Sequence, residues 1–152
     1  MNTMSGTKRV LIVEDDPTFR SFWIRIFDEI GVKDYKILSD PLDAIKLIDK
    51  ERFDLLISDV VMPHITGYEL AKYAYKKNPH MDILLTTGYS TDLSRYDLSG
   101  CSFHLLYKPY SNIAEIKKLI CHLVKGEDVF GDASEDSYSE NEDYPCITEW
   151  RL

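Results

Sequence analysis

The chain has 152 residues, of which 44% are hydrophobic and 29% charged, and a formal net charge of −8. That length and balance predict one domain with a real core and exclude wholesale disorder. Cys101, Cys121 and Cys146 are odd in number and lack CxxC spacing, which fits a reduced, cytosolic compartment. No apolar stretch approaches the roughly 20 residues that span a bilayer, and no signal-peptide core opens the chain, so neither membrane insertion nor secretion is expected.

The charge is unevenly placed. Residues 126–152 hold nine acids and one base, so residues 1–125 carry 17 bases against 17 acids. A neutral domain followed by an acidic tail lacks the basic footprint of a nucleic-acid binder, and no direct nucleic-acid partner is expected.

Residues 1–7 are small and polar and read as a disordered N-terminus. Lys8-Arg-Val-Leu-Ile-Val-Glu14 is a strand-length apolar run that ends in three acids, Glu14, Asp15 and Asp16. Asp16 followed by Pro17 gives an N-cap and first-turn proline. Phe19, Phe22, Trp23, Ile26, Phe27 and Ile30 then recur at helical spacing, a core stripe, up to Gly31. Tyr35–Leu38 reads as a second strand. Asp40-Pro41 repeats the cap signal before a helix with Ala44, Ile45, Leu47 and Ile48 inward.

Leu55-Leu56-Ile57 is a third, buried strand that delivers Asp59 where it stops. A Met-Pro turn follows, and a helix runs from Gly67 to about Lys77. Asp82–Thr87 is strand four, closed by Gly88. Residues 90–98 form a weak helix candidate, and Phe103–Tyr107 is strand five, ending at Lys108-Pro109. Asn112-x-x-Glu115 resembles a capping box before a last helix patterned by Ile113, Ile116, Leu119, Ile120, Leu123 and Val124.

Five strand–helix alternations predict an α/β fold: a doubly wound, five-stranded parallel sheet in the order 2-1-3-4-5 with helices on both faces. The domain spans residues 8–125. Residues 126–152 read as a disordered acidic tail with an apolar end, Tyr144–Leu152. Two readings stay open for that end: a docking segment that binds a partner or folds back on the domain, or a tail that aids solubility.

In a parallel sheet the carboxyl ends of the strands share one edge. Glu14 and Asp15, then Asp59, Thr87 and Lys108 therefore converge. Three close carboxylates repel unless a cation intervenes, and oxygen-only donors select a hard ion such as magnesium. A lysine and a hydroxyl beside such a site suit phosphoryl transfer, with an aspartate as nucleophile. The four histidines are scattered without metal-ligand spacing.

Val10-Leu-Ile-Val-Glu-Asp-Asp-Pro17, Ser58-Asp-Val-Val-Met-Pro63 with Gly67, Thr86-Thr-Gly88 and Tyr107-Lys-Pro109 together resemble the receiver domain of two-component response regulators, over roughly residues 8–125. The resemblance implies a flavodoxin-like fold and a phosphorelay role in signal transduction. Asp59 would accept a phosphoryl group from a histidine kinase or histidine phosphotransfer protein, with Mg2+ held by Asp15 and Asp59, by Glu14 through water, and by the backbone carbonyl of Val61. Thr87 matches the switch hydroxyl and Lys108 the phosphoryl-binding cation. The aromatic switch position three places before the lysine is Leu105, with Phe103 and Tyr107 on the same strand face. Val61 and Tyr89 occupy the positions that tune hydrolysis, and neither orients a water, so self-dephosphorylation is expected to be slow.

The expected function is thus a stand-alone cytoplasmic phosphoacceptor switch, not an enzyme beyond its own phosphorylation. It would signal by contact with a downstream protein, with a homodimer possible through the face formed by residues 89–110 and the last helix. Two other classes are weighed against it. A phosphatase with an aspartyl-phosphate intermediate wants a second Asp at position 61, where Val61 stands. A phosphorylation-independent interaction module with a receiver fold would not need the full set of pocket side chains.

Overall fold

The computed structural model describes residues 8–88, 102–126 and 146–152. The described residues form β1 (Val10–Val13), α1 (Pro17–Ile30), β2 (Tyr35–Leu38), α2 (Pro41–Lys50), β3 (Leu55–Asp59), α3 (Gly67–Lys77), β4 (Asp82–Thr87), β5 (Ser102–Tyr107), α4 (Ile113–Lys125) and β6 (Cys146–Trp150). The helix candidate at 90–98 and Tyr89 lie outside the described residues.

All neighbouring strands are parallel, in the order β2-β1-β3-β4-β5-β6. The order expected for five strands holds, and a sixth is added at the β5 edge. That sixth strand comes from the apolar end of the acidic segment; of the readings open for it, folding back on the domain is the one that residues 146–150 adopt. Ile147 opposite Phe103 and Trp150 opposite Leu106 put apolar side chains on both faces of the strand. Residues 127–145, the body of the acidic segment, are outside the described residues.

Alternation along the strands divides the core in two. Leu11, Val13, Leu56, Ile83, Leu85, Phe103 and Leu105 pack against α2 and α3. Val10, Ile12, Leu55, Ile57, Leu84 and Leu106 pack against α1 and α4. A period of two sends successive side chains to opposite faces, and burial on both faces gives the continuous apolar runs seen in the sequence.

The helix starts set where the sheet's carboxyl edge begins. Asp16 accepts from Thr18 N at 2.8 Å and Asp40 from Leu42 N at 2.9 Å, with a proline opening each helix. Asn112 accepts from Glu115 N at 3.2 Å at the start of α4. At α3 the cap is Thr66, in a reciprocal capping box with Glu69.

Candidate phosphoacceptor site

β1, β3, β4 and β5 carry the predicted residues to one sheet edge. β1 ends at Val13, and Glu14 follows with its N–H donated to Leu38 O at 2.9 Å. Asp59 is the last residue of β3, opposite Thr86 of β4, and Thr87 closes β4 opposite Tyr107. The N–H of Lys108 reaches Thr87 O at 2.8 Å, which fixes the lysine one residue beyond β5.

Lys108 joins the two acidic loops. Its Nζ lies 3.1 Å from Glu14 Oε1 and 3.2 Å from Asp59 Oδ2. Its side chain is 13% exposed and that of Glu14 only 1%, so solvent screens these contacts little. Glu14, Asp15 and Asp59 offer carboxylate oxygens within 4.8 Å of one another, a grouping fit to hold a metal ion among the described residues. Asp15 is exposed and Asp59 half-buried, which leaves an open side to the cluster.

The electrostatics of the cluster are unbalanced. Burial, and then the charge of Asp59, push the Glu14 carboxyl up to about 7, against the pull of Lys108. Its Oε2 is buried without a hydrogen-bond partner. Three carboxylates served by one lysine, with an orphaned buried oxygen among them, fit a hard divalent cation such as magnesium.

The rest of the wall is apolar. Phe19, Asp59, Val61, Gly88, Lys108 and Pro109 line a cleft of about 350 Å³. Val61 stands at its mouth, 56% exposed. Phe19 lies under the lysine, with Lys108 Nζ 3.8 Å from its ring centroid, a cation–π contact that orients the ammonium. Sequence reasoning assigned Phe19 to the core stripe with Trp23 and Phe27. Its place three residues after the capping Asp16, on the first turn facing the sheet edge, is the signal that separates it from them. Arg20 was likewise missed: its Nη1 donates to Glu14 O at 3.0 Å and to Asp15 O at 2.8 Å, which ties down the acidic loop.

Gly67 holds the opposite loop close. Its N–H donates to Val60 O at 2.8 Å, and a Cβ there would sit 2.3 Å from Asp59 O and 2.9 Å from Val60 Cα. Only glycine permits α3 to approach the Asp59 loop so nearly.

Thr87 is fully buried at the end of β4. Leu105 is 1% exposed and packs with Phe103 on the α2–α3 face, with Tyr107 partly buried against the same cluster. The structure thus brings Glu14, Asp15, Asp59, Thr87 and Lys108 to one edge and sets Leu105 inside the core behind them.

Comparison with known proteins agrees with this geometry. The model of the response regulator receiver domain matches residues 10–120. The response regulator receiver protein CpdR of Brucella abortus is 33% identical over 85 residues, which cover 55% of this chain and 68% of CpdR. Other relatives are longer: the match to the sensor kinase CckA of the same organism, at 29% identity, spans 71% of this chain but 12% of that protein. Among solved structures, the response regulator TrrA of Thermotoga maritima in complex with magnesium and beryllofluoride is similar, with TM-score 0.65 and 29% identity over 77% of this chain and 99% of that one. The structure of histidine kinase ThkA in complex with TrrA contains a match with TM-score 0.61 and 30% identity over 76% of this chain and 97% of that one. With a family model that spans most of its length and a sheet edge laid out as described, the chain belongs to the family of response regulator receiver domains.

Proposed function

We propose that Asp59 is the phosphoacceptor of a two-component phosphorelay and that the chain signals through protein contact. The observation that carries this reading is the position of Lys108 between Glu14 and Asp59, all three side chains mostly buried at the floor of an open cleft. A carboxylate oxygen of Asp59 attacks the phosphorus of a phosphohistidine. The P–N bond breaks, and the imidazole nitrogen leaves with the electron pair. Lys108 neutralises charge on the transferred group, and its contacts are present before the reaction, which is what makes such stabilisation effective.

Glu14, Asp15, Asp59 and the backbone carbonyl of Val61 are the groups that would hold Mg2+, which supplies charge neutralisation to the phosphoryl oxygens. Thr87 ends β4 at the same sheet edge as Asp59, and we assign it the switch hydroxyl. With Leu105 in place of an aromatic residue, Tyr107 or Phe103 on the same face carries the readout. Val61 presents methyl groups at the cleft mouth where a polar side chain would hold a water, in keeping with a slowly hydrolysed mark.

A histidine kinase or phosphotransfer protein is the donor this chemistry calls for. The complex of ThkA with TrrA supports such a partner. No helix among the described residues is long and apolar enough to cross a membrane. The test is labelling of the full chain by a small phosphodonor with and without magnesium: covalent incorporation on Asp59 is expected only with the ion.

A further inference from the structure

We propose that Tyr110 is a positioning residue of the phosphoacceptor site, its hydroxyl hydrogen-bonded, directly or through one ordered water, to Oε2 of Glu14. This role rests on the phosphoacceptor reading of Asp59 and adds a residue to it. Among the described residues, Glu14 Oε2 and Tyr110 Oη are the two buried side-chain oxygens that lack a hydrogen-bond partner. One is a carboxylate acceptor and the other carries a phenolic O–H. Buried polar groups are seldom left unpaired, and each exception calls for an explanation.

The packing brings the two together. The alternation that sends Val10 and Ile12, Leu55 and Ile57, and Leu84 to the α1–α4 side carries Glu14, Asp59 and Thr86 to that side as well. Tyr110 packs against the same cluster. Its ring centroid lies 5.5 Å from that of Phe19, 4.8 Å from Phe22 and 5.9 Å from Trp23, all on the first half of α1. Phe19 in turn lies under Lys108, whose Nζ is 3.1 Å from the other oxygen of Glu14. Tyr110 is therefore seated behind the Phe19 platform, next to the carboxylate that Lys108 reaches.

The phenol stays a donor. Burial pushes its titration up, Thr86 opposes, and the charges of Glu14 and Asp59 push it further the same way. That both carboxylates act on the phenol agrees with its place beside the acid cluster. Thr86, buried on the same face, offers a third polar group, and a trapped water needs several such partners. Held through Oε1 alone, the Glu14 carboxylate can pivot about its contact with Lys108. A second bond at Oε2 stops that pivot. Supporting hydrogen bonds of this kind orient the groups around a metal and set its affinity. Because Tyr110 follows Lys108 by two residues, one short segment then fixes both oxygens of the acid.

The experiment uses the full chain and Tyr110→Phe, which keeps the ring in its aromatic seat and removes only the hydroxyl. In the metal-free chain, isotopically labelled at the tyrosine Cζ, the resonance lost in Tyr110→Phe should shift in Glu14→Gln. A resonance that shifts only in Thr86→Val would assign the hydroxyl to β4 and overturn the proposal, as would one that shifts in neither. Calorimetric titration with magnesium gives a second reading. Tyr110→Phe should weaken binding about ten-fold, the low end of the cost of losing a supporting hydrogen bond at a metal site. In a Glu14→Gln background the same substitution should cost less than about two-fold, because residues that act as a pair are not additive. Equal losses in the two backgrounds would overturn the pairing. Failure of the unsubstituted chain to bind magnesium would instead remove the phosphoacceptor reading, with the Cζ resonance still deciding whether Tyr110 and Glu14 are joined.

Discussion

Lys108 Nζ and Asp59 Oδ2 stand 3.2 Å apart across the carboxyl edge of the sheet, joining β5 to β3 over 49 residues of sequence. The same ammonium reaches Glu14 and rests over Phe19, so its position is set from three sides. Replacing Lys108 by Met keeps the apolar stem and removes the charge. Phosphoryl transfer to Asp59 should slow by about 10² to 10³, the usual cost of losing one preorganised charge-stabilising group. Single-turnover transfer from a phosphohistidine donor measures it. Lys108→Arg should recover little, because the bulkier planar guanidinium cannot take the compact ammonium's place between Glu14 Oε1 at 3.1 Å and Asp59 Oδ2 at 3.2 Å.

The side chain of Val61, unlike its backbone carbonyl, bears on lifetime rather than on transfer. With methyl groups at the cleft mouth, the acyl phosphate should persist for minutes or longer in magnesium buffer. Val61→Glu, which offers an acceptor for an attacking water, should shorten that lifetime without loss of initial labelling. Decay of the unsubstituted phosphoprotein within seconds would contradict this account.

The close approach at Gly67 makes a stability prediction. Gly67→Ala places a Cβ 2.3 Å from Asp59 O, and backbone must move to admit it. Overpacking of this kind costs about 1 to 3 kcal/mol, read as a lower urea midpoint at unchanged slope. Because the displaced backbone is that of Asp59, labelling should fall as well.

His104 ties the seat of β6 to pH. Burial holds its imidazole below the usual histidine range, with Asp82 opposing and His122 and Lys8 assisting. Trp150 donates to its Nδ1, which only an unprotonated nitrogen can accept. A histidine whose folded value is depressed is bound by protons more readily in the unfolded chain. Stability from this contact is therefore complete above the ordinary value near 6.5 and declines as pH falls below it. Melting temperature should drop on acidification through that window, and less so in a Trp150→Ala chain.

Much of this was legible in the sequence, for physical reasons that differ by residue. Leu55–Ile57 and Val10–Val13 are buried on both faces, so their apolar runs mark strands plainly, and whatever follows each run falls at the sheet edge. Asp59, Glu14, Thr87 and Lys108 could be placed for that reason. Phe19 was harder to place, because helical spacing groups it with Trp23 on one face of α1 and only its first-turn position after the capping Asp16 sets it at the sheet edge. Thr66 and Glu69 form a capping box that the Met-Pro turn and Gly67 overshadow. β6 was hidden by its own composition: Cys-Ile-Thr-Glu-Trp mixes faces, follows a long acidic segment, and depends for its place on partners in β5 rather than on local propensity.

The central claim is that Asp59 takes a phosphoryl group with the help of the carboxylates and lysine around it. Incubating the full chain with a small phosphodonor and magnesium, then locating the label by mass spectrometry, tests this most directly. One phosphoryl group on Asp59 is predicted, lost with Asp59→Asn, with chelation of the metal, and largely with Asp15→Asn. Absence of label on the unsubstituted, folded chain, or equal label on the Asp59→Asn chain, would contradict it.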